Sequence, residues 1–219
     1  PHGALHRADQ ILALAGSVGI TRADGTYEYF LTAEDEEKSN TILHEAGGGS
    51  GRIIGFNIGG NWRPKKWPRE NFLAVAVNLL NRFQDIEIMI TGAAKDIKDA
   101  KSLANSANSP RCYSVAGETT LNELAALFKK CELVISADSG PLHLASATGV
   151  TTVGLFGPTS YKITGPRGVG KNIVVHKEVG CKIPCYSEKC DNDYECMKAI
   201  TVDEVVDAVS KELAENIRA

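Results

Sequence analysis

Residues Leu133–Thr159 read LVISADSGPLHLASATGVTTVGLFGPT, and the fold turns on this stretch. Leu133–Ala137 is a short apolar run without alternation, the pattern of a strand covered on both faces. Asp138-Ser139-Gly140-Pro141 turns the chain, Leu142–Thr148 is expected as a short helix, and Gly149 closes it just past the C-cap. Thr151–Phe156 is a second buried strand that stops at Gly157-Pro158. A strand feeding a helix through Asp-Ser-Gly-Pro leaves unpaired N–H groups and the positive end of the helix dipole facing outward. Both features favour an anion such as phosphate. The ordinary explanation of the same residues is that Asp138 or Ser139 merely caps the helix.

Working outward, the same strand–helix alternation runs from Gly51 to the C-terminus. Strands are expected at Arg52–Asn57, Ile86–Thr91, Arg111–Val115 and Asn172–His176 besides the two already named. Helices are expected at Arg69–Phe83, Ala94–Ala107 and Thr120–Lys130, with a terminal helix from Thr201 to about Ile217. Thr120-Leu-Asn-Glu123 and Thr201-Val-Asp-Glu204 are capping boxes. Such alternation implies an α/β fold, a Rossmann-like doubly wound parallel sheet with helices on both faces.

Before Gly51 the pattern is helical. His6–Val18 carries an apolar stripe, Tyr27–Leu31 is a short extended piece, and Thr32-Ala-Glu-Asp35 opens a helix through about Ala46. Gly47-Gly-Gly-Ser-Gly51 reads as a flexible break. The division is therefore residues 1–50, a helical linker or brace, and residues 51–219, the sheet domain. The opening at Pro1 reads like the interior of a longer protein.

A chain of 219 residues with 43% hydrophobic content can bury a sizeable core. The net charge is −3 with no basic run, which argues against nucleic acid and strongly anionic membranes as main partners. No apolar stretch approaches the ~18 residues of a spanning helix, and no signal peptide is visible. The expectation is a cytoplasmic protein with at most peripheral membrane contact. Of the six cysteines, Cys112 and Cys131 are expected as buried thiols. Cys181, Cys185, Cys190 and Cys196 cluster in one loop, leaving a metal or simply reduced thiols, since cytosolic disulfides are rare. Their C-x3-C-x4-C-x5-C spacing lacks the paired C-x2-C of common zinc folds.

With the strand order 3-2-1-4-5-6, strands one and four adjoin at the topological switch point, and ligands bind outside their carboxyl ends. The loops Gly59-Gly-Asn-Trp-Arg-Pro-Lys-Lys66 and Asp138-Ser-Gly-Pro141 then face each other. Gly59 and Gly60 let backbone approach a ligand, Arg63, Lys65 and Lys66 supply positive charge, and Ser139 and Gly140 offer N–H groups. A diphosphate would be gripped from both sides. Neither G-x-G-x-x-G after the first strand nor G-x-x-x-x-G-K-[ST] occurs, which disfavours a hydride-transfer or P-loop site. Asp96 is placed for ribose hydroxyls, with a helix first-turn role as the ordinary alternative. His143, a turn past Ser139, faces either the ligand or the core. Ala116–Thr120 completes the rim as a base pocket. Lys65 and Lys66 as solvated charges, and Trp67-Pro68 as a pin for the next helix, are the plain alternatives.

Gly60-Asn61-x-x-x-Lys65-x-Trp67-Pro68, Gly117-Glu-Thr-Thr-Leu121, Asp138-Ser-Gly-Pro-Leu-His-Leu-Ala-Ser-Ala147 with Gly149, and Leu155-Phe-Gly-Pro-Thr159 together resemble the heptosyltransferases of glycosyltransferase family 9. The cysteine loop ending Cys196-Met197 is also similar to members of that family. The resemblance implies the C-terminal half of a GT-B glycosyltransferase, inverting, with no cofactor or metal needed for transfer of heptose from ADP-heptose to the lipopolysaccharide core. It implies that this half binds the nucleotide-sugar donor, while an N-terminal domain outside this sequence holds the acceptor and the general base, so the fragment is expected to be inactive alone. Carried onto this sequence, Lys65 meets donor phosphate, Asp138 the sugar hydroxyls, Ser139 and Gly140 give backbone hydrogen bonds to phosphate, Asp96 takes ribose and Thr119 lies beside the base. Gly60 and Asn61 touch the diphosphate, although the family often has a hydroxyl residue where Asn61 stands. The competing readings are a stand-alone nucleotide-binding module, a GT-B-type nucleotide-sugar epimerase, and a metal or redox module built on the cysteine loop.

Overall fold

In the computed structural model, which describes residues 5–20 and 24–216, six strands form one parallel sheet. They are β1 (Arg52–Asn57), β2 (Ile86–Thr91), β3 (Cys112–Ser114), β4 (Cys131–Ala137), β5 (Thr151–Phe156) and β6 (Asn172–His176). Their order is β3-β2-β1-β4-β5-β6, the doubly wound order expected from connectivity. The helices are α1 (Arg7–Ser17), α2 (Ala33–Glu45), α3 (Arg69–Arg82), α4 (Ile97–Ser106), α5 (Leu121–Lys129), α6 (Gly140–Ala147), the single turns α7 (Tyr161–Thr164) and α8 (Glu195–Lys198), and α9 (Val202–Asn216). Ile217 lies outside the described residues.

The strands lack alternation because both faces are covered. Ile54, Phe56, Ile88, Ile90, Leu133 and Ile135 join one core with α3, α4 and α9. Their neighbours Ile53, Met89 and Val134 point the other way, into a second core with Phe128 and Leu127 of α5 and Ala145 of α6. Successive side chains on a strand alternate faces, so two covered faces demand an apolar residue at every position. Cys112 and Cys131 are buried thiols, and burial pushes Cys112 up to about 12.

The capping boxes form as read. Thr32 and Asp35, Thr120 and Glu123, and Thr201 and Glu204 each exchange side chain–backbone hydrogen bonds. Gly149 stands at φ +87° past α6, a left-handed conformation that glycine adopts without the Cβ penalty. Helix α4 starts later than expected, at Ile97, after a 3-10 turn over Ala94–Asp96.

Residues 24–50 run along the face covered by α5 and α6. Asp9 of α1 holds Arg167 through two 2.6 Å contacts, and Tyr27 N–H donates to the Arg167 carbonyl at 3.0 Å. The extended piece expected at Tyr27–Leu31 is reduced to one bridge, Tyr27 with Gly168. Tyr29 then donates to Asn122 of α5 at 2.6 Å, and Glu36 of α2 pairs with Lys129 of α5 at 2.9 Å. The glycine break is anchored to the sheet. Buried Glu87 of β2 accepts from the amides of Gly49 and Ser50, each at 2.8 Å, and from the Tyr113 hydroxyl at 3.1 Å.

Candidate functional site

The cavity lies where the strand order reverses, outside the carboxyl ends of β1 and β4, with a volume of about 510 Å³. Asn57, the last residue of β1, stands beside Ser136 near the end of β4, and Asn57 Nδ2 donates to Ser136 Oγ at 2.9 Å. This buried polar pair fixes the floor from which the two loops diverge. The loops expected to face each other do so: Gly59, Gly60, Asn61 and Lys65 line one side and Asp138, Ser139 and Gly140 the other. Asp96, Thr119 and Leu121 extend the same wall.

The loop after β1 is held by its apolar residues. Pro64 and Trp67 are buried, and the Trp67 indole N–H donates to the Ile200 carbonyl at 3.0 Å. Trp67 thus anchors the loop to the segment between α8 and α9, and its ring also meets Phe72 of α3 edge-on at 5.0 Å, the contact with the next helix that the plain reading supposed. The anchor presents Lys65, at the end of the 3-10 turn Arg63–Lys65, to Asp138 across the cavity. Lys65 Nζ donates to Asp138 Oδ2 at 2.8 Å, so Lys65 is not a solvated surface charge.

Asp138 is 4% exposed and is the electrostatic centre of the site. Its Oδ2 also accepts from Thr159 Oγ1 at 2.6 Å and from Thr164 Oγ1 at 3.4 Å. Its Oδ1 faces His143 Nε2 at 3.6 Å, an ion-pair distance beyond hydrogen-bond reach. Burial pushes the carboxyl up, but the His143 ring, Lys65 and Thr159 outweigh it and hold the group at about 2. The capping explanation fails on geometry. The N-cap of α6 is Ser139, and neither it nor Asp138 makes a side-chain cap bond; Ser139 Oγ instead meets Ser136 Oγ at 3.1 Å. Pro141 within the first turn has no N–H to cap.

His143 packs beneath Asp138, with its ring edge-on to Tyr27 at 6.0 Å, and does not line the cavity. Asp96 lines it but is engaged. Its Oδ2 accepts from the Ala93 amide at 3.0 Å, and Lys66 Nζ lies 3.8 Å from Oδ1. Gly59 serves this carboxylate rather than a ligand, because a Cβ there would come within 2.8 Å of Asp96 Oδ2. At Gly60, by contrast, nothing lies within 4 Å of where a Cβ would be. Asn61 Oδ1 accepts from Lys95 Nζ at 2.6 Å, and Lys95 also reaches the Gly60 carbonyl at 3.2 Å. Lys95, Thr159 and Thr164 were given no role by sequence reasoning. Lys95 sat beside Asp96 in a helix-like context, and Thr159 ended the Leu-Phe-Gly-Pro-Thr motif.

The cysteine loop lies outside the cavity. Cys185 N–H donates to the Pro158 carbonyl at 2.7 Å, and Cys196 is buried. All four of its cysteines are free, and among the described residues no group of three or more His, Cys, Asp or Glu is arranged to hold a metal ion.

A doubly wound sheet of this order is Rossmann-like, and here it matches one half of GT-B glycosyltransferase structures. The chain belongs to glycosyltransferase family 9 (heptosyltransferase), whose sequence model matches residues 6–194. It is 29% identical over 168 residues to lipooligosaccharide heptosyltransferase 2 of Campylobacter jejuni, covering 73% of this chain and 51% of that protein. The glycosyltransferase family 9 protein of Veillonella parvula superposes with a TM-score of 0.79 at 24% identity, over 98% of this chain and 62% of that one. The ADP-heptose LPS heptosyltransferase II of Escherichia coli gives 0.70 at 22% identity, over 86% and 54%. The chain spans about half the length of the relatives it matches.

Proposed function

We propose that this chain is the donor-binding half of an inverting heptosyltransferase, taking ADP-heptose in the cavity between the loops after β1 and β4. The single observation that carries this reading is the Lys65–Asp138 pair at the switch point, a half-buried ammonium 2.8 Å from a buried carboxylate. It sets a cation and an anion side by side against the opening turn of α6. A nucleoside diphosphate sugar asks for both: a positive group for phosphate and an acceptor for sugar hydroxyls. The name of the Escherichia coli relative, an ADP-heptose enzyme, supports the choice of nucleotide sugar.

In this reading Lys65 and the amides of Ser139 and Gly140 meet the diphosphate. Gly60 and Asn61 flank it, with Lys95 close enough to add a second cation. Asp96 takes the ribose, Thr119 borders the base, and Asp138 receives sugar hydroxyls with His143 behind it. Transfer develops negative charge on the departing diphosphate, which Lys65 and the α6 dipole stabilise, and positive charge at the anomeric carbon, which the Asp138 carboxylate favours. A base outside these residues takes the proton of the lipopolysaccharide acceptor. The chain works in the cytoplasm, with at most peripheral contact to the membrane; among the described residues no helix is long and apolar enough to cross one.

Calorimetry tests the donor assignment. The wild-type chain is expected to bind ADP more tightly than adenosine, and Lys65→Ala to weaken ADP by about 1.5–3 kcal/mol, the scale of a charge-assisted hydrogen bond, while sparing adenosine. Equal losses for both ligands would remove Lys65 from the phosphate. No binding of ADP by wild type would remove the donor reading itself.

A further inference from the structure

We infer that Thr159 is the positioning residue that fixes the rotation of the Asp138 carboxylate, by holding its Oδ2 for the ligand-binding geometry. The two oxygens are not equivalent. Oδ2 is loaded by three donors, Thr159 Oγ1 at 2.6 Å, Lys65 Nζ at 2.8 Å and Thr164 Oγ1 at 3.4 Å. Among the described residues Oδ1 faces only the His143 ring, at 3.6 Å, beyond hydrogen-bond reach, so the carboxylate is held by one edge. Thr159 makes the shortest of these contacts. It is also the only one of the three donors that is nine-tenths or more buried, at 5% exposure.

Its backbone is fixed independently of Asp138. The turn Gly157-Pro158-Thr159 leaves β5, and the Pro158 carbonyl is held by Cys185 N–H at 2.7 Å. Gly157 lies so close to α8 that a Cβ there would be 2.4 Å from Met197 Sδ. A β-branched threonine has few χ1 options, so this turn delivers its hydroxyl in one direction. Lys65 comes from a different loop and is 26% exposed. When a phosphate draws Lys65 away, Thr159 remains to keep the carboxylate from rotating. The groups facing Asp138 are thus Lys65 from the loop after β1, His143 from α6, and the hydroxyls of Thr159 and Thr164 around α7.

The inference rests on the donor reading for the identity of the ligand, and the experiment separates the two. Thr159→Val keeps the shape and removes the hydroxyl; Thr159→Ser keeps the hydroxyl on a freer rotor. The first readout needs no ligand: the carboxyl titration of Asp138 followed by carbon NMR on the intact chain. Its midpoint is expected to rise by about one pH unit or more in Thr159→Val, since a donor to the charged form is lost, and to stay near wild type in Thr159→Ser. The second is the ratio of ADP to ADP-heptose dissociation constants, expected to fall about tenfold in Thr159→Val while ADP binding changes less than twofold. An unmoved midpoint overturns the assignment whatever the ligand. A moved midpoint with an unchanged ratio overturns the positioning role. A moved midpoint in a chain whose wild type ignores both nucleotides keeps Thr159 on Asp138 and refutes the donor reading alone. Should Thr159→Val fail to fold, the serine variant decides, because its freer rotor is expected to lower the ratio partway and an unchanged ratio overturns the role.

Discussion

Replacing Lys65 with methionine tests the electrostatic centre of the site through folding, without a ligand. The substitution keeps the length of the stem and removes the ammonium that lies 2.8 Å from Asp138 Oδ2. The Asp138 carboxyl is held at about 2 against an ordinary 3.8, a difference worth roughly 2 kcal/mol of stability at neutral pH. Because the folded value is depressed, that stability is fully present above 3.8 and is lost as pH falls toward 2. Without Lys65, burial regains ground, the midpoint rises, and the acid loss begins at higher pH. A carboxylate 4% exposed is left with its hydroxyl donors and His143 alone. Breaking a fully buried pair costs about 3–5 kcal/mol; with Lys65 at 26% exposure the expected cost is about 1–2 kcal/mol. For a chain of 219 residues this is a fall in Tm of roughly 2–8 °C. Urea titrations at pH 7 and thermal melts would be run on Lys65→Met, Asp138→Asn and the double variant. Asp138→Asn is expected to cost less in the Lys65→Met background than in wild type, because it then removes an orphaned charge. Additive losses across the cycle would refute the claim that the two groups share one electrostatic unit.

Glu87→Gln should destabilise the chain by about 1–3 kcal/mol, since one carboxylate serves Gly49, Ser50 and Tyr113 and an amide nitrogen cannot accept from them; an unchanged urea midpoint would mean the glycine turn is held elsewhere. The Glu87 carboxyl is depressed as a net result of burial raising it and hydrogen bonds from Ser50 and Gly49 lowering it. Its stabilisation therefore fades as pH falls through the folded value, and the glutamine variant should be less acid-sensitive than wild type. Gly157→Ala should cost about 1–3 kcal/mol, because its methyl would meet buried Met197 and something in that contact must shift; a neutral melting temperature would show that the Met197 side chain yields freely.

The sheet was legible because its strands are covered twice. Ile53–Phe56 and Leu133–Ala137 carry apolar residues toward both cores, which leaves a continuous run in the sequence and rules out a one-sided sheet. The facing of the two site loops followed from the strand order. Edge strand β3 came out shorter than read, Cys112–Ser114, pairing with β2 over three residues. The single turns α7 and α8 escaped because four residues cannot display a helical period. The Lys65–Asp138 contact joins residues 73 apart through a 3-10 turn set by a tryptophan whose partner is Ile200. No local pattern encodes that reach. Threonine hydroxyls such as that of Thr159 are silent in sequence for a related reason: the residue is equally at home in a turn, a strand end or a cap.

The attachment of α1 to Arg167 also sets an order of events during synthesis. Asp9 and Arg167 are 158 residues apart, so at about 5–20 residues per second their pairing waits roughly 8 to 32 seconds after Asp9 is made. Ser50 and Glu87 are 37 residues apart and Glu36 and Lys129 are 93 apart, so the glycine turn and α2 can dock while α1 is still unattached. Helix α1 carries Ile11 and Leu14 exposed, followed by exposed Val18 at its C-cap. Until Arg167 emerges, α1 lacks this anchor, which makes a helix translated before α2 and the glycine turn the last of the three to reach its partner.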